Sequence, residues 1–123
     1  MAELSNIENE TIRFEIEEFL EKPEEIEHFV EIFAKARPIH QDMAAALIEG
    51  DHHSVDKLAA QTVADGIGAL EIMDDGLIAG MGIVGIKFRE NFIFVPEVLA
   101  CARAMKAGLE VLRPILTASK EPP

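Results

Sequence analysis

"GMGIVGIKFRENFIFVPEVLACARAMKAG", residues 80–108, decides the fold. Its apolar residues recur every three or four positions up to Phe88, which is the period of a helix. The same period resumes at Val95 and runs on through Val98, Ala102, Met105 and Leu109. The turn between the two helices is far more apolar than a connection requires, since Phe92, Ile93, Phe94 and Val95 follow one another. So short a β-prone patch between helices cannot build a sheet. Gly80, Gly82 and Gly85 each cost a helix interior up to about 1 kcal/mol relative to alanine. Close approach of a neighbouring helix, or of a flat ligand, offsets such a cost.

Outward from this stretch, almost every segment keeps the helical period. Ile12, Ile16, Phe19 and Leu20 stripe a first helix from about Glu8 to Glu21. Pro23 opens a second, with Ile26, Phe29, Val30 and Phe33 on one side. A third begins at Pro38, carries Ile39, Met43, Ala46 and Leu47, and stops at Gly50. Asp51 or Ser54 caps a fourth, bearing Val55, Leu58, Ala59, Thr62 and Val63 and ending before Gly66. A short helix from Ala69 runs on into the one carrying Leu77, Met81, Val84 and Phe88. The last helix extends from Val95 to Leu112 or beyond, and "TASKEPP" closes the chain as a polar, proline-ended tail. The expected fold is all-α: an antiparallel four-helix bundle over residues 36–116, preceded by an acidic helical extension over 1–35. Residues 117–123 read as a tail or the start of a linker.

Composition narrows the function. The net charge is −12. Residues 1–35 hold 11 acidic and 3 basic side chains, and the rest of the chain 12 and 8. Such a surface repels phosphate backbones and anionic membranes, so neither nucleic acid nor a membrane is expected as a partner. The longest apolar run, residues 77–86, holds three glycines and falls well short of the roughly 20 residues needed to span a bilayer. The single Cys101 forbids an internal disulfide and fits a reducing compartment, and the opening "MAELSNIENE" lacks the pattern of a signal peptide. A cytoplasmic location is expected.

No constellation of catalytic groups emerges. His52 and His53 are adjacent and diverge on a helix, so they do not converge on one metal. His28 and His40 are isolated and expected to be half-exposed. Glu71, Asp74 and Asp75 suit a helix start or kink, where acidic groups favour the dipole. Cys101 lies between two alanines and reads as a small packed residue. No catalytic residue and no metal ligand is assigned. What remains is the apolar corner.

The stretch from Asp74 to Leu116 resembles the helical cap of corrinoid-binding modules, as in cobalamin-dependent methionine synthase and methyltransferase corrinoid proteins. The matching residues are Gly80-Met81, Val84-Gly85, Phe88, Phe94-Val95-Pro96, Val98, Ala104-Met105-Lys106 and Leu112-Arg113-Pro114. Residues 47–51 and 65–77 also look like the helices that precede them, so the resemblance covers about residues 36–116. It implies a bundle lying over the upper face of cobalamin or another corrinoid and shielding its methyl–cobalt bond. Phe88, Val95 and Val98 match contacts to that face, with Met81 and Met105 as further lining. An apolar roof is sensible there, because it keeps the site dry and offers cobalt no ligand.

The resemblance also implies partners. The family's lower cobalt ligand lies in an α/β domain within Asp-x-His-x-x-Gly, and none of His28, His40, His52 and His53 sits in that pattern. An α/β corrinoid-binding domain or subunit is therefore expected from outside residues 1–123, the proline-ended tail favouring a longer chain. A methyltransferase protein is the other expected partner. Residues 1–35 lie outside the usual cap and are expected to pack on the bundle or dock that methyltransferase. The rival reading is a helical interaction or sensory module that binds no corrinoid and uses the corner as a protein interface, as in a homodimer.

Overall fold

The computed structural model describes residues 2–118. A 3-10 turn at Leu4–Asn6 leads into α1 (Glu10–Phe19) and α2 (Pro23–Lys35). Then come α3 (Pro38–Ile48), α4 (His52–Ala64), α5 (Ala69–Ile72), a π-helical segment (Met73–Ile78), α6 (Ala79–Arg89) and α7 (Val95–Ala118). The protein is an all-α bundle. Thr117 and Ala118 of the polar tail still belong to α7, which accommodates Pro114 within it, and residues 119–123 lie outside the described residues.

Local chemistry sets most of these boundaries. The Asn9 side chain accepts a hydrogen bond from the Ile12 amide at 2.9 Å, and Asp51 accepts one from Ser54 at 3.1 Å. Proline opens both α2 and α3, where its missing N–H is no loss. Gly50 follows α3 at φ +73°, a left-handed conformation that glycine adopts without strain. The helical path from Ala69 to Arg89 is unbroken, but it widens into π geometry across residues 73–78. Leu77 in the π segment and Val84 in α6 are both buried, while Phe88, at the end of α6, leaves the core.

One hydrophobic core joins the N-terminal pair of helices to the bundle. Ile7, Ile12, Ile16, Phe29 and Phe33 belong to the same buried cluster as Met43, Leu47, Val55, Ile72, Leu77, Ile83 and Leu112. Buried Gln41 ties the join together: its Nε2 donates to the carbonyls of Phe33 (2.9 Å) and Ala36 (3.2 Å), and its Oε1 accepts from the Asn9 amide (2.9 Å). Glycines permit the tightest contacts. A Cβ at Gly80 would lie 3.1 Å from the Ala44 backbone, and one at Gly108 would lie 2.7 Å from Leu77.

Candidate functional site

The apolar corner is held by backbone hydrogen bonds rather than by burial. At the end of α6, Asn91 takes φ 66°, which asparagine tolerates better than most side chains. Its amide donates to the Phe88 carbonyl at 3.1 Å, and the Phe92 amide donates to the Lys87 carbonyl at 2.8 Å. This pair of bonds satisfies the last carbonyls of α6 and fixes the turn. The Glu97 carboxylate accepts from the Phe94 amide at 3.0 Å, fixing the start of α7, where Pro96 needs no partner for its nitrogen. The chain therefore spends ordered structure on displaying an oily turn.

Phe88 is 45% exposed, Val95 56% and Phe94 62%. Val98, Met81 and Met105 are half-buried, packed partly against the core. Sequence reasoning missed two members of this surface: Leu99, 63% exposed and one turn beyond Val95, and exposed Ile78. Their spacing was legible, four residues after Val95 and ten before Phe88, but nothing in the periodicity says which side of a helix lacks a neighbour. At 100° per residue, Ile78, Met81, Gly85 and Phe88 fall within an arc of about 80°.

The N-terminal helices grip α6 on both sides of Phe88. Lys87 and Glu15 form a buried ion pair at 2.8 Å, and the Lys87 ammonium stands 4.3 Å from the Phe19 ring centre. Arg89 holds Glu25 through two bonds of 2.8 Å and also pairs with Glu90. The paired Arg89 lowers the pKa of Glu25 below the usual carboxylate range. Phe19 meets Phe92 edge to face at 4.9 Å, and Phe29 lies where a Cβ on Gly82 would come within 2.8 Å of its ring. None of these pairings was visible in the sequence, because Glu15 and Lys87 lie 72 residues apart.

The other candidates resolve as structure. His40 is fully buried rather than half-exposed, because α5 covers it: its Nε2 meets Glu71 Oε2 at 2.9 Å. Glu71 also accepts from Arg37, and these two partners, Arg37 first, hold its carboxyl below its ordinary range. Burial pushes Asp75 up. The Cys101 thiol is buried, donates to the Ile48 carbonyl at 3.3 Å and has its pKa raised by desolvation. The rings of His52 and His53 lie 4.1 Å apart at the start of α4. Among the described residues no group of three or more His, Cys, Asp or Glu side chains is placed to hold a metal ion. No helix among them is long and apolar enough to cross a membrane.

Comparison with known proteins places the chain in a family. Residues 39–113 match the family model described as the B12 binding domain. The chain belongs to that family. This B12-binding domain is 38% identical over 84 residues to trimethylamine corrinoid protein 1 of Methanosarcina mazei, covering 68% of this chain and 36% of that protein. It is 37% identical over 91 residues to monomethylamine corrinoid protein 2 of Methanosarcina barkeri, covering 74% and 39%. The solved structure of the Methanosarcina barkeri monomethylamine corrinoid protein superposes with a TM-score of 0.62 at 35% identity, over 63% of this chain and 37% of that one. The chain thus spans little more than a third of the relatives it matches. The resemblance to a helical cobalamin-binding cap holds, and residues 1–38 lie outside the matched segment.

The corner's chemistry fits a corrin face. It offers flat and rounded apolar side chains on a backbone pinned by hydrogen bonds, and the histidines lie elsewhere, on α2, α3 and α4.

Proposed function

We propose that residues 36–116 form a cap over the upper face of a corrinoid in a cobalamin-dependent methyltransferase system, with residues 1–35 as an extension fixed to it. The observation that carries this reading is the rigid display of Phe88, Val95 and Leu99 to solvent in a chain of the B12-binding family. When bound, the corrinoid supplies the cobalt that carries a methyl group between donor and acceptor. The residues of this chain cover the ring, exclude water and withhold any acid, base or competing ligand; Val98, Met81 and Met105 back the contact side chains. The lower ligand comes from an α/β corrinoid-binding domain or subunit beyond these residues. A methyltransferase is the partner that exchanges the methyl group, and the cap must be displaced for it to do so.

Equilibrium dialysis of methylcobalamin against the native gene product tests this. Uptake is expected, and Phe88→Ala should weaken it about 3- to 10-fold, the worth of the apolar surface that the ring would cover. No uptake by the unaltered protein sinks the proposal. The rival interaction module draws on one observation: Phe14, Phe19 and Phe92 form an edge-to-face series, at 6.1 and 4.9 Å, that carries the apolar surface towards α1. A stable dimer in sedimentation, dissolved by Phe94→Asp, would favour that module.

A further inference from the structure

Each glycine inside the π segment, α6 or α7 has a neighbour within 3.1 Å of where a Cβ would stand, save one. A Cβ at Gly76 would lie 3.0 Å from the Met43 sulfur, at Gly80 3.1 Å from the Ala44 backbone, at Gly82 2.8 Å from the Phe29 ring, and at Gly108 2.7 Å from Leu77. A Cβ at Gly85 would meet nothing within 4 Å, and Gly85 is exposed. Nor does the backbone require it, since Gly85 sits inside α6 with an ordinary helical φ. Packing within the chain therefore leaves unexplained a residue that weakens the helix.

Its position supplies the missing reason. Gly85 lies on the arc defined by Ile78 and Phe88, seven residues after the one exposed side chain and three before the other. Any side chain there would stand up from within the apolar surface. We infer that Gly85 is a ring-seating position, kept free of a side chain so that the flat face of a corrinoid rests directly against the α6 backbone between Ile78 and Phe88. The inference rests on the corrinoid reading and deepens it. It adds to that reading a shape requirement which apolar character alone does not impose.

The requirement separates a shaped seat from a sticky patch. Gly85→Leu adds apolar area, so adhesion to a generic greasy patch would strengthen. Seating of a rigid flat ring would instead be blocked, because the new side chain holds the ring off its contacts on both sides. Gly85→Ala serves as the folding control: with open space around its Cβ it should raise the thermal midpoint by a few degrees.

The experiment follows amide shifts of the ¹⁵N-labelled 123-residue chain as methylcobalamin is added in the dark to millimolar concentration. In the unaltered protein, shifts are expected within residues 78–99. In Gly85→Leu they should need about tenfold more ligand or vanish, while circular dichroism matches the unaltered protein. Binding by Gly85→Leu as tight as, or tighter than, that of the unaltered chain overturns the seating role and leaves the cap reading standing. Should Gly85→Leu fail to fold, Gly85→Ala decides the matter: a more stable protein that binds more weakly supports the role, and one that binds equally well overturns it. No shifts in the unaltered chain overturn the seating role, while the cap reading stands or falls separately on methylcobalamin uptake by the native gene product.

Discussion

Removing the Lys87 ammonium should expose how firmly the N-terminal helices hold α6. Lys87 and Glu15 are 8% and 7% exposed and paired at 2.8 Å, so neither charge has ready access to water. Lys87→Met leaves the Glu15 carboxylate buried without a partner, a loss of about 3–5 kcal/mol. Glu15→Leu strands the ammonium instead, but the ring of Phe19 at 4.3 Å still faces it and its stem can bend outward. That change should cost less, about 2 kcal/mol. Joining the two removes both charges and fills the space with apolar volume, so the double variant should return to within about 1 kcal/mol of the unaltered protein. The coupling energy is then about 4 kcal/mol or more. Urea unfolding followed by circular dichroism at 222 nm measures it, since the chain has neither tryptophan nor tyrosine to report by fluorescence. Two single changes that each cost under about 1 kcal/mol, and that add, would refute the reasoning and reduce the pair to a solvated surface contact.

Two further tests address other parts of the fold. Gly82→Ala should lower the thermal midpoint, because its Cβ would meet the Phe29 ring at 2.8 Å; an unchanged or raised midpoint would show that α2 does not seat against α6. Glu71 has its carboxyl pKa depressed by Arg37 and His40, so its contribution to stability is full above the ordinary carboxylate pKa and fades as pH falls through the folded value. Glu71→Gln should therefore be less stable than the unaltered protein at pH 7, with the gap closing towards pH 3. A gap that stays constant or widens in acid would contradict the assignment.

The helices were legible because their information is local. Prolines at 23 and 38, Asp51 as a cap, and glycines at 50 and 66 set boundaries from within a few residues, and the structure follows them. The π segment was not legible, since a one-residue change of register leaves the apolar pattern on either side intact. Phe88 shows the limit of periodicity most clearly: it continues the stripe of Met81 and Val84, yet it stands at the end of α6, where the bundle no longer covers it. His40 fails in the opposite sense, its burial depending on Glu71 from a helix 31 residues away. At the site, the notion of a greasy corner came from the sequence alone. That Leu99 and Ile78 share its exposure, and that Gly85 alone among the glycines of the α6 stripe faces open space, depends on which neighbours are missing.

Photolysis of methylcobalamin held by the native gene product tests the central claim most directly, for a roof over the ring must alter what light does to the bond beneath it. With the corner over the upper face, the photolysis rate of bound methylcobalamin should differ from that of the free cofactor, and Phe88→Ala with Val95→Ala should move it back towards the free value while the circular dichroism stays unchanged. A rate for the bound cofactor that is indifferent to both substitutions would contradict the cap, and the corner would then belong to some other partner.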